Sequence, residues 1–342
     1  MPSGRIEPFP GIAEVARVAG VSYMTVSRVI NGRKGVSEDT RRRILRLLDE
    51  MGYRPNLLAR ALRTGRTRSI GVIGYANALR GPSNLLFSAQ LAARAAGFSV
   101  TVITVADQQA EALSLAIAEM HERAVEAIIL FSPYRSSGAA LRRVRSTVPI
   151  VAIWGPEEIG IPVISYDHPQ AAAMATQHLL DLGHPTVRHI SGPTGWTGSD
   201  LRVVGWRDAL SAAGREIPQV VVGDWQARSG YKAGCAILAE PDVSAVFISS
   251  DQMALGFMAA AHELGRRIPD DLSVVGYDND PGSEYFSPPL TTVHQDFAVI
   301  GQRAFDVARS LIESPDKPPP DVTALVPELV IRATTGPYCP RA

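Results

Sequence analysis

Two cysteines in 342 residues, Cys235 and Cys339, are too few and too far apart for a disulfide framework, so a reducing compartment is expected. No run of about 18 apolar residues occurs, which excludes a membrane-spanning helix. The first twenty residues, MPSGRIEPFPGIAEVARVAG, hold no uninterrupted apolar stretch behind a basic start. No secretory signal is read there, and a cytoplasmic location is expected. There is no GxSxG elbow, no phosphate loop, no GxGxxG fingerprint and no histidine pair at metal-ligand spacing such as HxxxH. Asp251 and Asp278 alone do not make an acid–base pair. These absences argue against an enzyme and against a metal or other cofactor.

Net charge is absent too, but only as a total. Lysine and arginine number 34 against 34 acids. Residues 1–68 hold 14 basic against 6 acidic side chains, leaving 20 against 28 for the remainder. A basic head on an acidic body points to a polyanion as the partner of the head. The length suits one small unit and one large one, and 46% hydrophobic with 20% charged residues is ordinary globular composition.

From Gly11 to Gly52 the chain reads as three short helices. Ile12, Val15, Ala16 and Val18 give the first an apolar face before Gly20 stops it. The second runs from about Ser22 to Ile30, with Val26, Val29 and Ile30 inward, and Asn31-Gly32 ends it. Ser37 begins a third through Met51, with Ile44, Leu45, Leu47, Leu48 and Met51 as its buried stripe. After Pro55, Asn56 is placed to cap a short helix from Leu57 to about Arg63, too short to stand alone in water.

Beyond Arg68 strand-like runs alternate with Ala-rich amphipathic segments. The strands fall at 69–75, 98–105, 126–131, 149–154, 187–191, 219–223, 244–249 and 272–277; helical segments include 107–122, 168–182, 199–214 and 251–265. Strand alternating with helix means parallel sheets covered by helices, and the strands are too many for one sheet. Two similar α/β lobes are expected, with crossovers near 160–168 and 290–297.

Residues 12–31, IAEVARVAGVSYMTVSRVIN, have the chemistry of a helix-turn-helix. Small Ala16 lets two helices approach, Gly20 makes the turn, and Ser22 caps a second helix whose exposed face offers Tyr23, Met24, Ser27 and Arg28. Such a helix lies in the major groove with its N-terminal residues at base edges. AxVAxxAGVSxxTVSRVxNG, VSxxTRxxI and GYxPNxxARxLRTGRT together resemble the head and hinge of the lactose-repressor (LacI/GalR) family. The resemblance continues through GHP at 183–185, LRxxGW at 201–206, GDW at 223–225, SDQMALG at 250–256, SVVGYDN at 273–279 and PPLTTVHQDF at 288–297.

The resemblance implies an all-α helix-turn-helix head plus an α/β body of two periplasmic-binding-protein-like lobes with parallel sheets. It implies a transcriptional repressor that binds double-stranded, pseudo-palindromic operator DNA as a homodimer and answers to a small sugar. The expected boundaries are a DNA-binding domain at 1–54, a hinge helix and linker at 55–68, and an effector and dimerisation domain at 69–342. One lobe spans about 69–165 and 295–324, the other about 166–294 and 325–342.

By the same resemblance Tyr23, Met24 and Arg28 read bases, and Ser22, Thr25, Ser27 and Asn31 meet phosphates. Asn56, Ala59 and Leu62 face the minor groove, with Leu62 as a wedge between base steps. Met24 stands where the family's type member has glutamine, so a two-point contact to adenine is lost and the operator differs. Arg202 and Asp278 match the sugar-hydroxyl ligands, Trp225 and Phe297 the aromatic walls, with Gln295 nearby; Tyr75, Leu79 and Pro82 come from the first lobe. Ser250 replaces an asparagine of the type member and Trp154 an aspartate, while Trp196 lies in a loop without counterpart. The added stacking area favours a β-linked disaccharide or an aryl-glycoside-like ligand, with a nucleoside, a monosaccharide or a corepressor role as alternatives. The end of the chain, ELVIRATTGPYCPRA, has Pro337 and Pro340 where a coiled coil would need helix. Light scattering should therefore give the mass of two chains at micromolar concentration, and a four-chain mass would contradict this.

Overall fold

The structure, a computed structural model, describes residues 10–54, 61–62, 64–75, 80–105, 110–143, 146–155, 160–240, 242–318, 320 and 322–340. The sequence readings for Asn56, Ala59 and Leu79 lie outside these residues, as does the side chain of Pro82. The chain forms two compact units, Met1–Thr67 and Arg68–Ala342. No helix among the described residues is long and apolar enough to cross a membrane.

The first unit holds α1 (Ile12–Ala19), α2 (Tyr23–Ile30) and α3 (Glu38–Glu50). Gly20 ends α1 at φ 61°, a left-handed conformation that glycine adopts without cost, and its N–H returns to the carbonyls of Ala16 and Arg17. Ser22 Oγ accepts from the Thr25 N–H at 3.2 Å and Ser37 Oγ from the Thr40 N–H at 3.4 Å, so both caps form as read. Val15, Ala16, Ala19, Val26, Val29 and Ile44 make a small core, with Leu47, Leu48 and Met51 packed around it. Val18 and Leu45, expected inside, are each 49% exposed. Each stands one residue, about 100° of helix rotation, off the stripe formed by positions 15, 16 and 19 or by 44, 47, 48 and 51.

The second unit begins with β1 (Ser69–Tyr75), α4 (Arg80–Ala95), β2 (Ser99–Val105), α5 (Ala110–Glu122), β3 (Ala127–Phe131), α6 (Ser137–Arg143), β4 (Ile150–Ile153) and β5 (Val163–Ile164). These strands form a parallel sheet in the order β2-β1-β3-β4-β5. Every residue of β1 and β3 is buried, as expected of strands covered on both faces. There follow α7 (His168–Asp181), β6 (Arg188–Ser191), α8 (Thr197–Ala212), β7 (Val221–Val222), α9 (Ala227–Leu238), β8 (Ala245–Ile248), α10 (Asp251–Glu263), β9 (Ser273–Asp278), β10 (Thr291–His294), α11 (Phe297–Glu313) and β11 (Glu328–Val330). The second sheet runs β11-β10-β9-β8-β6-β7. Its edge strand β11 pairs antiparallel with β10, whereas the sequence pattern suggests parallel strands throughout.

The chain passes between the two sheets three times. It enters α7 after β5, returns through 295–296 into α11, and goes back to β11 after α11. Helix α11 therefore packs on the first sheet although it follows a strand of the second. Gly301 makes this possible, because a Cβ there would stand 2.6 Å from the backbone N of Ala89 in α4.

Ile44 is fully buried in a core of only a few side chains. Ile44→Ala should cost about 2–5 kcal/mol, enough to unfold much of the small unit. Calorimetry should show the head's transition lowered and that of the second unit in place, with DNA binding lost. A shift of both transitions together would contradict the division.

Candidate functional site

Residues at or just beyond the C-terminal ends of the strands converge in the second unit: Tyr75 ends β1, Ser132 follows β3, Trp154 follows β4, Trp225 follows β7, Asp278 ends β9 and Gln295 follows β10. Open α/β sheets bind ligands at these edges. The aromatic side chains touch edge to face. Trp154 lies 5.3 Å from Phe131 and 6.0 Å from Phe297, and Trp196 lies 5.0 Å from Tyr134 and 5.4 Å from Trp225, between ring centroids. The two sides are also joined by backbone, with the Thr197 N–H on Pro133 O at 2.7 Å and the Arg135 N–H on Gly195 O at 3.0 Å.

Two features make this cleft the candidate binding site. Trp154, Trp225 and Asp278 have φ of 56°, 73° and 108°, a left-handed backbone that side chains other than glycine rarely adopt. Such strain persists where the surroundings enforce it, commonly at functional sites. Second, buried polar atoms in folded proteins nearly always have hydrogen-bond partners. Here Ser132 Oγ, Trp154 Nε1, His168 Nε2, Thr197 Oγ1, Arg202 Nε, Trp225 Nε1 and Gln295 Oε1 have none among the described residues. A ligand with many hydroxyls and apolar faces would satisfy both the unpaired atoms and the ring surfaces.

Arg202 sits at the centre. Its Nη1 donates to Ser249 O at 2.6 Å, and its guanidinium carbon lies 3.5 Å from the Tyr277 ring centroid and 5.6 Å from that of Trp225. His168 Nδ1 pairs with the Tyr277 hydroxyl at 3.0 Å. Burial, reinforced by Arg202, pushes the His168 imidazole well below its usual pKa, so it is neutral. Asp278 accepts from Gln295 Nε2 at 2.7 Å. Part of its residue surface is open, yet neighbouring protein encloses the carboxyl, and this burial pushes it up to about 7 against the pull of Arg202. Asp251, fully buried, is raised well above the ordinary range by burial and then by Asp278. It is a scaffold group, accepting from Thr292 Oγ1 at 2.6 Å and from the Asp280 N–H at 2.7 Å.

Of the residues read from sequence, Trp154, Trp196, Arg202, Trp225, Asp278, Gln295 and Phe297 gather around this cleft. Tyr75 is at its floor, 6.3 Å from Phe131 and 5.9 Å from Tyr134. Ser250 Oγ is engaged in capping α10, accepting from the Met253 N–H at 3.2 Å. His168, Ser132, Thr197, Phe131 and Tyr134 escaped the sequence reading. Phe131 and Tyr134 carried a usable signal, since they flank the end of a strand-like run; His168 carried none.

In the first unit Ser22, Tyr23, Met24 and Arg28 are exposed along α2, with Tyr23 at 50% and Met24 at 59%. Thr25 is half-buried. Ser27 is buried and accepts from Asn31 Nδ2 at 3.3 Å, so it is less open to phosphate than the sequence suggests. Leu62 is 89% exposed.

Because the folded protein keeps the Asp278 proton up to about pH 7 while an unfolded chain releases it near about pH 4, the protonated acid favours the fold. That contribution is complete below the unfolded value and is lost as pH rises to about 7. Asp278→Asn should flatten this loss and raise the melting temperature at about pH 8. A variant less stable at that pH than at about pH 5, relative to the parent, would contradict the assignment.

Known proteins are similar to this chain. The profile described as "Bacterial regulatory proteins, lacI family" matches residues 11–56, and that of a periplasmic binding protein-like domain matches residues 176–335. The lactose operon repressor of Escherichia coli (strain K12) is 34% identical over 295 residues, 86% of this chain and 82% of that protein. The transcriptional repressor PurR of Vibrio campbellii (strain ATCC BAA-1116) is 31% identical over 340 residues, 94% of this chain and 98% of that one. Among solved structures, a Lac repressor dimer bound to operator and the anti-inducer ONPF superposes with a TM-score of 0.86 at 32% identity, over 96% of this chain and 100% of that one. A CelR–cellobiose complex does so with 0.69 at 29% identity, over 95% and 99%. A helix-turn-helix head followed by a two-sheet body with its cleft at the strand ends, and this identity along nearly the whole chain, establish that the protein belongs to the lacI family of bacterial regulatory proteins.

Proposed function

We propose that this protein represses carbohydrate-utilisation genes, binding a pseudo-palindromic operator as a homodimer and leaving it when a sugar, a β-linked disaccharide or similar glycoside, enters the cleft. The observation that carries the sugar is the pairing of ring faces with unpaired buried polar atoms in one place. Sugars present apolar C–H faces for stacking and hydroxyls for planar donors and acceptors such as arginine and carboxylate. Relatives support the class: one solved structure is a complex with cellobiose, and Lac repressor structures hold operator with the anti-inducer ONPF, or ONPG in the repressed state.

The residues take distinct roles. Arg202, Asp278 and Gln295 bind hydroxyls, while Trp154, Trp196, Trp225 and Phe297 stack on the sugar faces. These groups come from both sheets, so their contacts are complete only when the cleft is shut. The ligand shifts the protein toward the closed form by its differential affinity for the two states. A coupling of about 2.7 kcal/mol weakens operator binding about 100-fold. In the head, Arg28 makes the two-point contact to guanine, and Met24 offers a methyl-sized apolar contact to thymine.

PurR relatives at 31% identity and the flat aromatic walls favour one second reading, a purine acting as corepressor. A panel separates the two. Cellobiose, lactose and aryl β-glycosides should raise the melting temperature of the protein, and Arg202→Lys, which keeps charge but loses the planar fork, should abolish the rise. A rise with purines and none with any sugar would overturn the sugar reading. Arg28→Ala should cost about 1–3 kcal/mol of operator binding and relax preference at one base pair per half-site. Unchanged discrimination in a binding-site selection would remove Arg28 from base reading.

A further inference from the structure

We propose that the cleft selects a glycoside bearing a carboxylate, a uronic acid unit, which a row of N–H donors from Trp154, His168, Arg202 and Trp225 receives. The inference rests on the sugar reading above and narrows it. The four side chains are contiguous. The Trp154 and His168 rings are 6.2 Å apart, His168 is bonded to the Tyr277 hydroxyl, and Arg202 lies over Tyr277 and reaches Trp225.

The unpaired nitrogen of each is a donor. An indole Nε1 and a guanidinium Nε only donate. We assign the Tyr277 hydroxyl as the donor in its bond to His168 Nδ1. Neutral imidazole then carries its hydrogen on Nε2, the unpaired atom. Among the buried unpaired atoms one acceptor, Gln295 Oε1, stands against these four donors, with the Ser132 and Thr197 hydroxyls able to serve either way and the part-exposed Asp278 carboxyl beside Gln295.

A neutral sugar hydroxyl brings a proton of its own for each oxygen. A carboxylate brings two acceptor oxygens and none. Charge agrees with this count. Among the described residues Arg202 has no ion-pair partner, and burial holds the nearby acids Asp278 and Asp251 toward their neutral forms. The guanidinium is thus left with charge to offer an anion, in a setting where charge-assisted bonds are strongest.

Calorimetric titration of the full chain with p-nitrophenyl β-glucuronide, its methyl ester and p-nitrophenyl β-glucoside tests this. The acid should bind at least about tenfold more tightly than either neutral compound. His168→Phe should erase the preference and His168→Asn, which keeps an N–H, should retain part of it. The ratio of affinities within one variant is independent of how much of that variant is folded. Equal or tighter binding of the glucoside would overturn the carboxylate and leave the sugar reading standing. No binding of any of the three at millimolar concentration would overturn the uronic acid, and the cellobiose and lactose melting series then decides the sugar reading. A preference that survives His168→Phe would remove His168 from the row.

Discussion

A guanidinium that is nearly fully buried must be fixed by its surroundings, and much of the cleft is arranged around Arg202. The helix that carries it, α8, begins at the backbone bond between Thr197 and Pro133, which ties the second sheet to the first. Its charge rests on the faces of Tyr277 and Trp225, its Nη1 on a carbonyl at the end of β8, and its Nε has no partner among the described residues. Burial, reinforced by the same charge, keeps His168 neutral, and the charge opposes the protonation of Asp278. Removing it would unseat Tyr277 and Trp225 together, so these contacts act as a unit.

The backbone supports this arrangement at some cost. Trp154, Trp225 and Asp278 hold left-handed conformations of the kind that cost on the order of 1–3 kcal/mol each. Each lies just at or after a strand end, where the direction of the side chain must change abruptly to enter the cleft. The buried acid Asp251, bonded to Thr292 and to the Asp280 amide, braces the loop that follows Asp278. Stability is thus given up at the site and recovered in the two sheet cores, where β1, β3 and β8 are buried throughout.

Much of this was legible in the sequence, for identifiable reasons. Helix caps at Ser22 and Ser37 are local, and strands buried on both faces read as continuous apolar runs. Arg202, Asp278 and Trp225 were pointed to by the family resemblance of the motifs that hold them. What escaped depended on long-range geometry. His168 opens a helix and looks like an N-terminal residue; only the fold brings it to Tyr277, 109 positions later. The antiparallel edge strand β11 is three residues long, too short for a periodicity to declare itself. Val18 and Leu45 were misplaced because apolar character alone does not say which side of a helix meets the core.

The central claim is that filling the cleft weakens the hold on DNA. The most direct test is the operator dissociation constant measured at one salt concentration, with and without a saturating amount of the tightest-binding glycoside. Release predicts operator binding about 100-fold weaker with ligand present. Binding that is unchanged or tighter with ligand would contradict it.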